Sequence, residues 1–164
     1  MRIGMLCSAL VLLAFALTAS AAFQAGVAVR DVTPDPLLPV SGGASPTSPA
    51  TERIGNLSVR ALVFDRDGER VAIVGADFLG FPGALCDRVR AKVPGIPAEN
   101  ILIGVTHTHS APDMYGFPDG QGGHGADLEY IAMVVDRMAE AIKEAVSNLA
   151  PASLKINTGE AEGK

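Results

Sequence analysis

The sequence predicts an α/β fold in which a mixed β-sheet is flanked by helices. Apolar runs rich in β-branched residues at 57–64, 70–75 and 101–105 are typical of strands. A long stretch with helical apolar spacing follows Asp127, which predicts a helix that packs on the sheet. The run at 101–105 ends in a polar cluster, as parallel strands that carry a site at their carboxyl end do.

The first 21 residues have the features of a secretory signal peptide. Arg2 precedes an apolar run over 5–17, and Thr18-Ala19-Ser20-Ala21 supplies the small residues of a cleavage site. We therefore predict cleavage at Ala21 and a domain over 22–164 that is secreted or periplasmic. The apolar run is short for a membrane span, and an uncleaved anchor is the alternative.

Composition excludes some functions and leaves others open. The net charge is -5 and no basic stripe is present, which argues against nucleic acid as a partner. The domain over 22–164 contains only Cys86, so it has no internal disulfide. We interpret Cys86 as a half-buried apolar residue on a helix, because no histidine lies near it in sequence to activate the thiol.

The first predicted strand covers 23–32, and Thr33-Pro34-Asp35-Pro36 ends it. The segment 34–49 is crowded with Pro, Gly and Ser and lacks periodicity, which predicts an irregular loop. Long loops inside compact domains are usually functional or mobile, and the sequence leaves both interpretations open.

The strands at 57–64 and 70–75 flank Asp65-Arg66-Asp67-Gly68, a strong turn signal, so we predict an antiparallel hairpin. Asp77 follows the second strand directly. Its carboxylate can orient a metal-bound imidazole or act as an additional ligand. The alternative is that Asp77 only caps the next turn.

Two helices and a last strand complete the predicted elements. The first helix covers 82–93, with Leu85, Val89 and Val93 on one side. Asp127 is the predicted N-cap of a second helix that ends at Leu149. Its predicted apolar face comprises Leu128, Ile131, Val135, Met138, Ile142, Ala145 and Leu149. A further strand is predicted over 152–157.

The segment 100–113, NILIGVTHTHSAPD, carries the strongest functional signal. Residues 101–105 read as a buried strand that leads into His107 and His109. Side chains alternate in an extended chain, so both imidazoles are expected to point the same way. One imidazole can then bind a divalent metal through a neutral nitrogen while the other reaches the substrate.

Nearby polar groups support this interpretation but leave alternatives. Hydroxyls of Thr106, Thr108 and Ser110 are candidates for orienting the imidazoles. The alternative is a surface turn whose histidines hydrogen-bond to the threonines. His124 lies in the glycine-rich loop 114–125, either as an additional metal ligand or as a solvated side chain.

The string ILIGVTHTHSAPD closely resembles the zinc-binding strand of the neutral/alkaline, non-lysosomal ceramidase family, in which a strand leads into T-H-T-H-S-[AG]-P. The segments GVAVRDVTP (26–34), LSVRALVFD (57–65) and VAIVGADFLG (71–80) resemble the same family in the same order. The resemblance covers nearly all of the chain after residue 23. It corresponds to the amino-terminal part of that family's catalytic domain, which implies that 22–164 is an incomplete domain of a longer hydrolase.

The resemblance implies that His107 is a zinc ligand and that His109 is a catalytic residue beside the zinc-bound water. The implied cofactor is zinc, and the implied reaction is hydrolysis of the N-acyl amide bond of ceramide, a step of sphingolipid metabolism. The partner would be a small lipid amide, with the membrane surface contacted only transiently through that substrate. The resemblance also places the loop 34–49 along the mouth of the active site.

Two departures from the family limit this inference. The family's remaining zinc ligands, a second histidine, a glutamate and a tyrosine, lie further downstream, so we expect the chain as given to be inactive. Asp113-Met114-Tyr115 stand where the family is usually glycine-rich, so related amides or esters are alternative substrates. An exported, non-catalytic metal- or ligand-binding domain is the alternative function.

Overall fold

The computed structural model describes residues 23–42 and 48–160. The predicted signal peptide over 1–21 and its cleavage site at Ala21 lie outside these ranges. The strands are β1 (Gln24–Asp31), β2 (Val40–Ser41), β3 (Ser58–Arg66), β4 (Glu69–Ala76), β5 (Ile101–Val105), β6 (Ala111–Pro112) and β7 (Ala150–Pro151). The helices are α1 (Gly83–Ala91) and α2 (Leu128–Ser147). Neither is long and apolar enough to cross a bilayer, nor is any other helix in these ranges.

Five of the strands form a mixed sheet in the order β5-β4-β3-β1-β7, which confirms the predicted α/β fold. The β1–β3 and β3–β4 pairs are antiparallel, and β4–β5 is parallel. The predicted hairpin is confirmed in β3 and β4, which pair from Val59↔Ala76 to Arg66↔Glu69. Asp67 and Gly68 form its turn with φ values of 58° and 86°, the conformation that a two-residue hairpin requires.

The helices cover one face of this sheet. Helix α2 packs on β1 and β3, and α1 packs on α2. At Gly26 the two layers come so close that a Cβ would lie 2.0 Å from the Ala145 carbonyl oxygen. The opposite face, which we call the open sheet face, exposes the apolar residues Val27, Val29, Val71, Ile73 and Leu102.

Helix α2 confirms the predicted N-cap. The Asp127 carboxylate accepts a hydrogen bond from the Tyr130 N–H at 2.8 Å. The prediction for Leu128 was wrong, because this side chain is 67% exposed and the buried face begins at Tyr130 and Ile131. The Tyr130 hydroxyl donates to the Val32 carbonyl oxygen at 2.6 Å, which ties α2 to the end of β1.

Two predictions about strands were wrong. The predicted strand over 152–157 is absent from the described residues, since pairing is confined to Ala150–Pro151 and to one hydrogen bond from the Ala152 N–H to the Phe23 carbonyl. Leu102 was expected to be buried but is 62% exposed, because β5 is the edge strand and only one sheet face is covered.

The predicted loop 34–49 is not wholly irregular. Within it, Val40 and Ser41 form β2, which pairs with β6. Val40 also exchanges two backbone hydrogen bonds with Ser48. This pairing attaches the segment to Ala111–Pro112, immediately after the histidine motif.

Candidate functional site

The candidate site lies where the parallel strands β4 and β5 end side by side. The segment 77–80 leaves β4 and the segment 106–110 leaves β5 at the same edge. The Thr106 N–H donates to the Ala76 carbonyl at 3.0 Å, so the two segments stay together beyond the strands. The histidines therefore follow the carboxyl end of a parallel strand, as predicted.

His107 and His109 lie close together, but the predicted cause, the alternation of side chains in an extended strand, was wrong. His107 has φ of +60°, so the chain turns there and does not alternate as a strand. This left-handed conformation is uncommon outside glycine and costs about 1 kcal/mol or more. The imidazoles of His107 and His109 nevertheless lie edge to face, with ring centroids 5.2 Å apart. Both residues are exposed, so a ligand can reach either ring.

A backbone carbonyl orients His107. Its Nδ1 lies 2.7 Å from the Leu79 carbonyl oxygen. A carbonyl can only accept, so the neutral imidazole carries its proton on Nδ1 and leaves the Nε2 lone pair free. This is the tautomer that a metal needs at Nε2, and an orienting carbonyl is a usual partner of a metal-binding histidine.

The hydroxyls of Thr106, Thr108 and Ser110, which were the predicted candidates for orienting the imidazoles, do not contact them through hydrogen bonds. The Thr108 hydroxyl accepts from the Ser110 N–H at 3.3 Å. Among the described residues, neither imidazole is hydrogen-bonded to Thr106, Thr108 or Ser110. The prediction that these hydroxyls orient the imidazoles was therefore wrong.

His109 is held by a glycine of the loop before β3. A Cβ on Gly42 would lie 2.5 Å from the His109 Cβ and 2.9 Å from its Nδ1. The backbone at Gly42 can pack on this side chain only because glycine has no side chain. The register of β2 and β6, with Ser41 opposite Ala111, brings the two residues together.

Asp77 is turned away from the histidines. Its carboxylate accepts from the Ser58 N–H at 3.0 Å, from the Ser58 hydroxyl at 2.8 Å and from Arg60 at 3.3 Å. Partial burial opposes ionisation, but these hydrogen bonds outweigh it and hold the pKa of Asp77 below its usual value. These partners all belong to β3, so the carboxylate is engaged on the side of β4 opposite to β5 and the histidine segment.

His124 lies in the glycine-rich loop, where its backbone pairs with Pro118 and its side chain is exposed. Over 23–42 and 48–160, no three His, Cys, Asp or Glu side chains form a group that can hold a metal. His107 and His109 thus supply two imidazoles, fewer than the roughly three protein ligands of a catalytic zinc. The roles of His107, His109, Asp77 and His124 stay predictions.

A cavity of about 510 Å³ opens beside the motif. Asp77, Thr108 and Ser110, which follow the ends of β4 and β5, are among its lining residues. Its other lining residues come from the two segments before β3: Thr33, Pro34, Leu37, Leu38, Val40, Ala50, Glu52, Arg53, Ile54, Gly55, Asn56 and Leu57, with Pro112. Part of the loop 34–49 therefore borders a cavity of mixed polarity that reaches the motif at Thr108 and Ser110.

Sequence reasoning did not identify the role of Asp113. This residue is 1% exposed, and its carboxylate accepts from the N–H groups of Tyr115, Gly116 and Phe117 at 2.7, 3.2 and 2.7 Å. These bonds fix the course of the chain directly after the motif. An aspartate two residues before a glycine-containing turn was the available signal.

Cys86 is buried on α1, as its interpretation as an apolar residue requires. Burial raises the pKa of its thiol, so the thiol stays protonated at neutral pH.

Comparison with known proteins shows what the chain is similar to. No protein family model matches the chain, and no curated protein does. A solved structure of ceramidase complexed with C2 matches with a TM-score of 0.67 and 25% identity. The neutral ceramidase from Pseudomonas aeruginosa matches with a TM-score of 0.63 and 23% identity. Each match covers 80% of this chain and 22% of the solved chain. The resemblance seen in the sequence is thereby confirmed, and the chain spans about a fifth of those ceramidases.

Proposed function

We propose that this chain forms part of a zinc-dependent hydrolase that cleaves the N-acyl amide bond of ceramide or of a related lipid amide. The observation that carries the proposal is the His107–His109 pair at the ends of β4 and β5, with His107 Nε2 left free by the Leu79 carbonyl. The likeness to solved ceramidases supports the same reaction class.

In this proposal His107 holds the metal through Nε2, together with ligands from outside the described residues. Zinc, when bound, supplies Lewis-acid chemistry that polarises a carbonyl and activates water. His109 lies 5.2 Å from His107, ring to ring, close enough to act on the same substrate. Its imidazole accepts a proton from the attacking water and passes it to the leaving amine, the role of a general acid–base group.

The cavity beside the motif supports a lipid as the substrate. Leu37, Leu38 and Val40 give it an apolar wall, and Thr108 and Ser110, which flank His109 in the motif, also line it. Its volume of about 510 Å³ lies in the usual range for small-molecule sites.

The proposal includes export, because 1–21 has signal-peptide features and a lipid amide is reached from a membrane surface. Contact with the membrane is then transient and made through the substrate. Since the match spans 22% of the solved ceramidases, the activity is proposed for the protein translated from the complete reading frame.

The test uses that protein with His107→Ala and His109→Ala. We expect His107→Ala to lose zinc, measured by elemental mass spectrometry, and with it all hydrolysis of a ceramide with a fluorescent acyl chain. His109→Ala should keep its zinc and lose about 10²- to 10⁴-fold in kcat, the usual contribution of a general acid–base group. His124→Ala distinguishes the two interpretations of that residue: loss of zinc would make His124 an additional ligand, and retention of zinc and activity would make it a solvated side chain.

Three results would change the assignment. If His107→Ala kept zinc and activity, His107 would not be the ligand. Loss of zinc from His109→Ala alone would exchange the two roles. Zinc bound tightly by the wild-type protein without hydrolysis of any amide or ester would favour the alternative, an exported metal-binding domain.

A further inference from the structure

Tyr115 rests on the backbone of Gly80, one residue from the group that orients His107. A Cβ on Gly80 would lie 1.9 Å from the Tyr115 hydroxyl oxygen and 2.3 Å from Cζ. With any other residue at position 80, the Tyr115 ring would have to leave its present position. The contact joins the loop after the histidine motif to the segment after β4.

The backbone of Tyr115 is fixed, and its half-exposed side chain packs against a second ring. Its N–H donates to the buried Asp113 carboxylate at 2.7 Å, and so does the N–H of Phe117. The Tyr115 and Phe117 rings lie 5.1 Å apart, so each limits the movement of the other. The Asp113 bonds therefore fix the backbone that carries Tyr115, and the Phe117 ring packs beside its side chain over Gly80.

The support reaches His107 through a single peptide unit. The carbonyl of Leu79 and the nitrogen of Gly80 belong to the same planar group, so whatever fixes Gly80 also fixes the direction of that carbonyl. The carbonyl oxygen lies 2.7 Å from His107 Nδ1. A tilt of this plane would lengthen the hydrogen bond and release both the ring and its tautomer.

We propose that Tyr115 is a positioning residue for His107. It holds the Leu79–Gly80 peptide plane, which keeps the proton on Nδ1 and presents the Nε2 lone pair to a metal. The expected effect on zinc affinity rests on the proposed function, whereas the effect on the tautomer does not. Tyr115 lies in Asp113-Met114-Tyr115, where the sequence departs from the ceramidase pattern.

The test records the ¹⁵N spectrum of the imidazoles in the metal-free full chain, at a pH where they are neutral. The wild type should show His107 protonated on Nδ1. Tyr115→Phe keeps the ring and should match it. Tyr115→Ala and Gly80→Ala should each give a mixture of tautomers at His107, together with a loss of zinc affinity of roughly tenfold, the lower end for an orienting partner of a ligand.

Two further variants separate positioning from a general loss of structure. Gly42→Ala is the matched control, since its methyl would meet His109, and it should change the His109 signals while leaving His107 as in the wild type. In the double variant Gly80→Ala with Tyr115→Ala the clash is gone, so its spectrum should equal that of Tyr115→Ala alone. Tyr115→Ala removes a half-exposed side chain, so it tests the proposal even if Gly80→Ala fails to fold.

An unchanged His107 tautomer in folded Tyr115→Ala would overturn the proposal. A changed tautomer in a protein that never binds zinc would leave the positioning role standing and contradict the proposed function. If the wild type and Tyr115→Ala bound zinc equally well and showed the same His107 tautomer, the positioning role of Tyr115 would be contradicted. The proposed function would stand.

Discussion

At the scale of single residues, Asp113 combines a buried charge with three backbone donors. Its carboxylate is 1% exposed and accepts from three consecutive N–H groups. Such a group is stable only while it stays paired, because an unpaired buried donor or acceptor loses its hydration without compensation. The loop after the histidine motif therefore depends on this one side chain.

We predict that Asp113→Asn lowers the free energy of unfolding by about 2 kcal/mol, since an amide has one acceptor oxygen and turns its NH₂ group toward backbone donors. Chemical denaturation followed by circular dichroism measures the loss. Asp119→Asn is the control, because Asp119 accepts from Gln121 and Gly123 in the same way but in the exposed loop. Equal losses in the two variants would contradict the importance of burial.

The residues that hold the histidines show what sequence reasoning can reach at this scale. His107 and His109 were predictable because imidazole chemistry belongs to the residue type. The groups that hold the two imidazoles were not predictable. The Leu79 group is a backbone carbonyl, which every residue has, and Gly42 contributes only by lacking a side chain. Both contacts become visible only when the positions of the backbone segments in the fold are known.

At the scale of elements, the β3–β4 hairpin depends on Asp65. The Arg70 side chain donates to its carboxylate at 2.7 Å and the Gly68 N–H at 3.1 Å. These bonds outweigh desolvation and hold the pKa of Asp65 below its ordinary value of 3.8. A carboxylate with a lowered pKa stabilises the fold above the unfolded value, and this contribution is lost as the pH falls through the folded value.

We therefore predict that Asp65→Asn destabilises the chain most near neutral pH. The difference in Tm between wild type and variant should shrink as the pH falls below about 4, where the wild-type carboxylate becomes protonated. Differential scanning calorimetry at pH 7, 5, 4 and 3 measures it. A difference that stays constant over this range would show that the charge of Asp65 is not what matters.

The elements that were predicted correctly carry strong local signals. The turn at Asp67-Gly68 defines the hairpin, and Asp127 together with helical spacing defines α2. The errors at Leu102 and 152–157 concern partners: a strand's burial and length depend on what lies beside it, and the sequence of the strand does not contain that information.

At the scale of the whole molecule, the residues that the structure describes cover one face of the sheet and leave the other face open. Val27, Val29, Val71, Ile73 and Leu102 place apolar surface on the open sheet face. Alternate residues of the same strands, such as Ala72 and Val74, are buried under the helices. Contiguous apolar surface of this kind promotes association.

We predict that Ile73→Lys and Val29→Lys reduce self-association and the binding of an apolar fluorescent dye while leaving the fold intact. The matched control is Val74→Lys, one residue along β4 but 1% exposed, which should prevent folding because an unpaired charge would be buried. Sedimentation velocity, dye fluorescence and circular dichroism measure the three effects. Equal damage from Ile73→Lys and Val74→Lys would show that the face is not open in solution.

The candidate site is likewise assembled at this scale. The sheet supplies the adjacent ends of β4 and β5, and the β2–β6 pair brings Gly42 to His109 over a separation of more than sixty residues. Sequence reasoning placed the histidines at a strand end and the loop 34–49 beside them as the resemblance implied, but it could not derive this contact.

The support of each imidazole by a distant backbone segment matters for protein engineering. Grafting the Thr-His-Thr-His-Ser peptide into another α/β scaffold would transfer the rings without their orientation. A successful graft would have to reproduce the Leu79–Gly80 peptide plane and the close approach of Gly42, neither of which any side-chain library encodes. The smallest transplantable unit is therefore a set of three backbone segments.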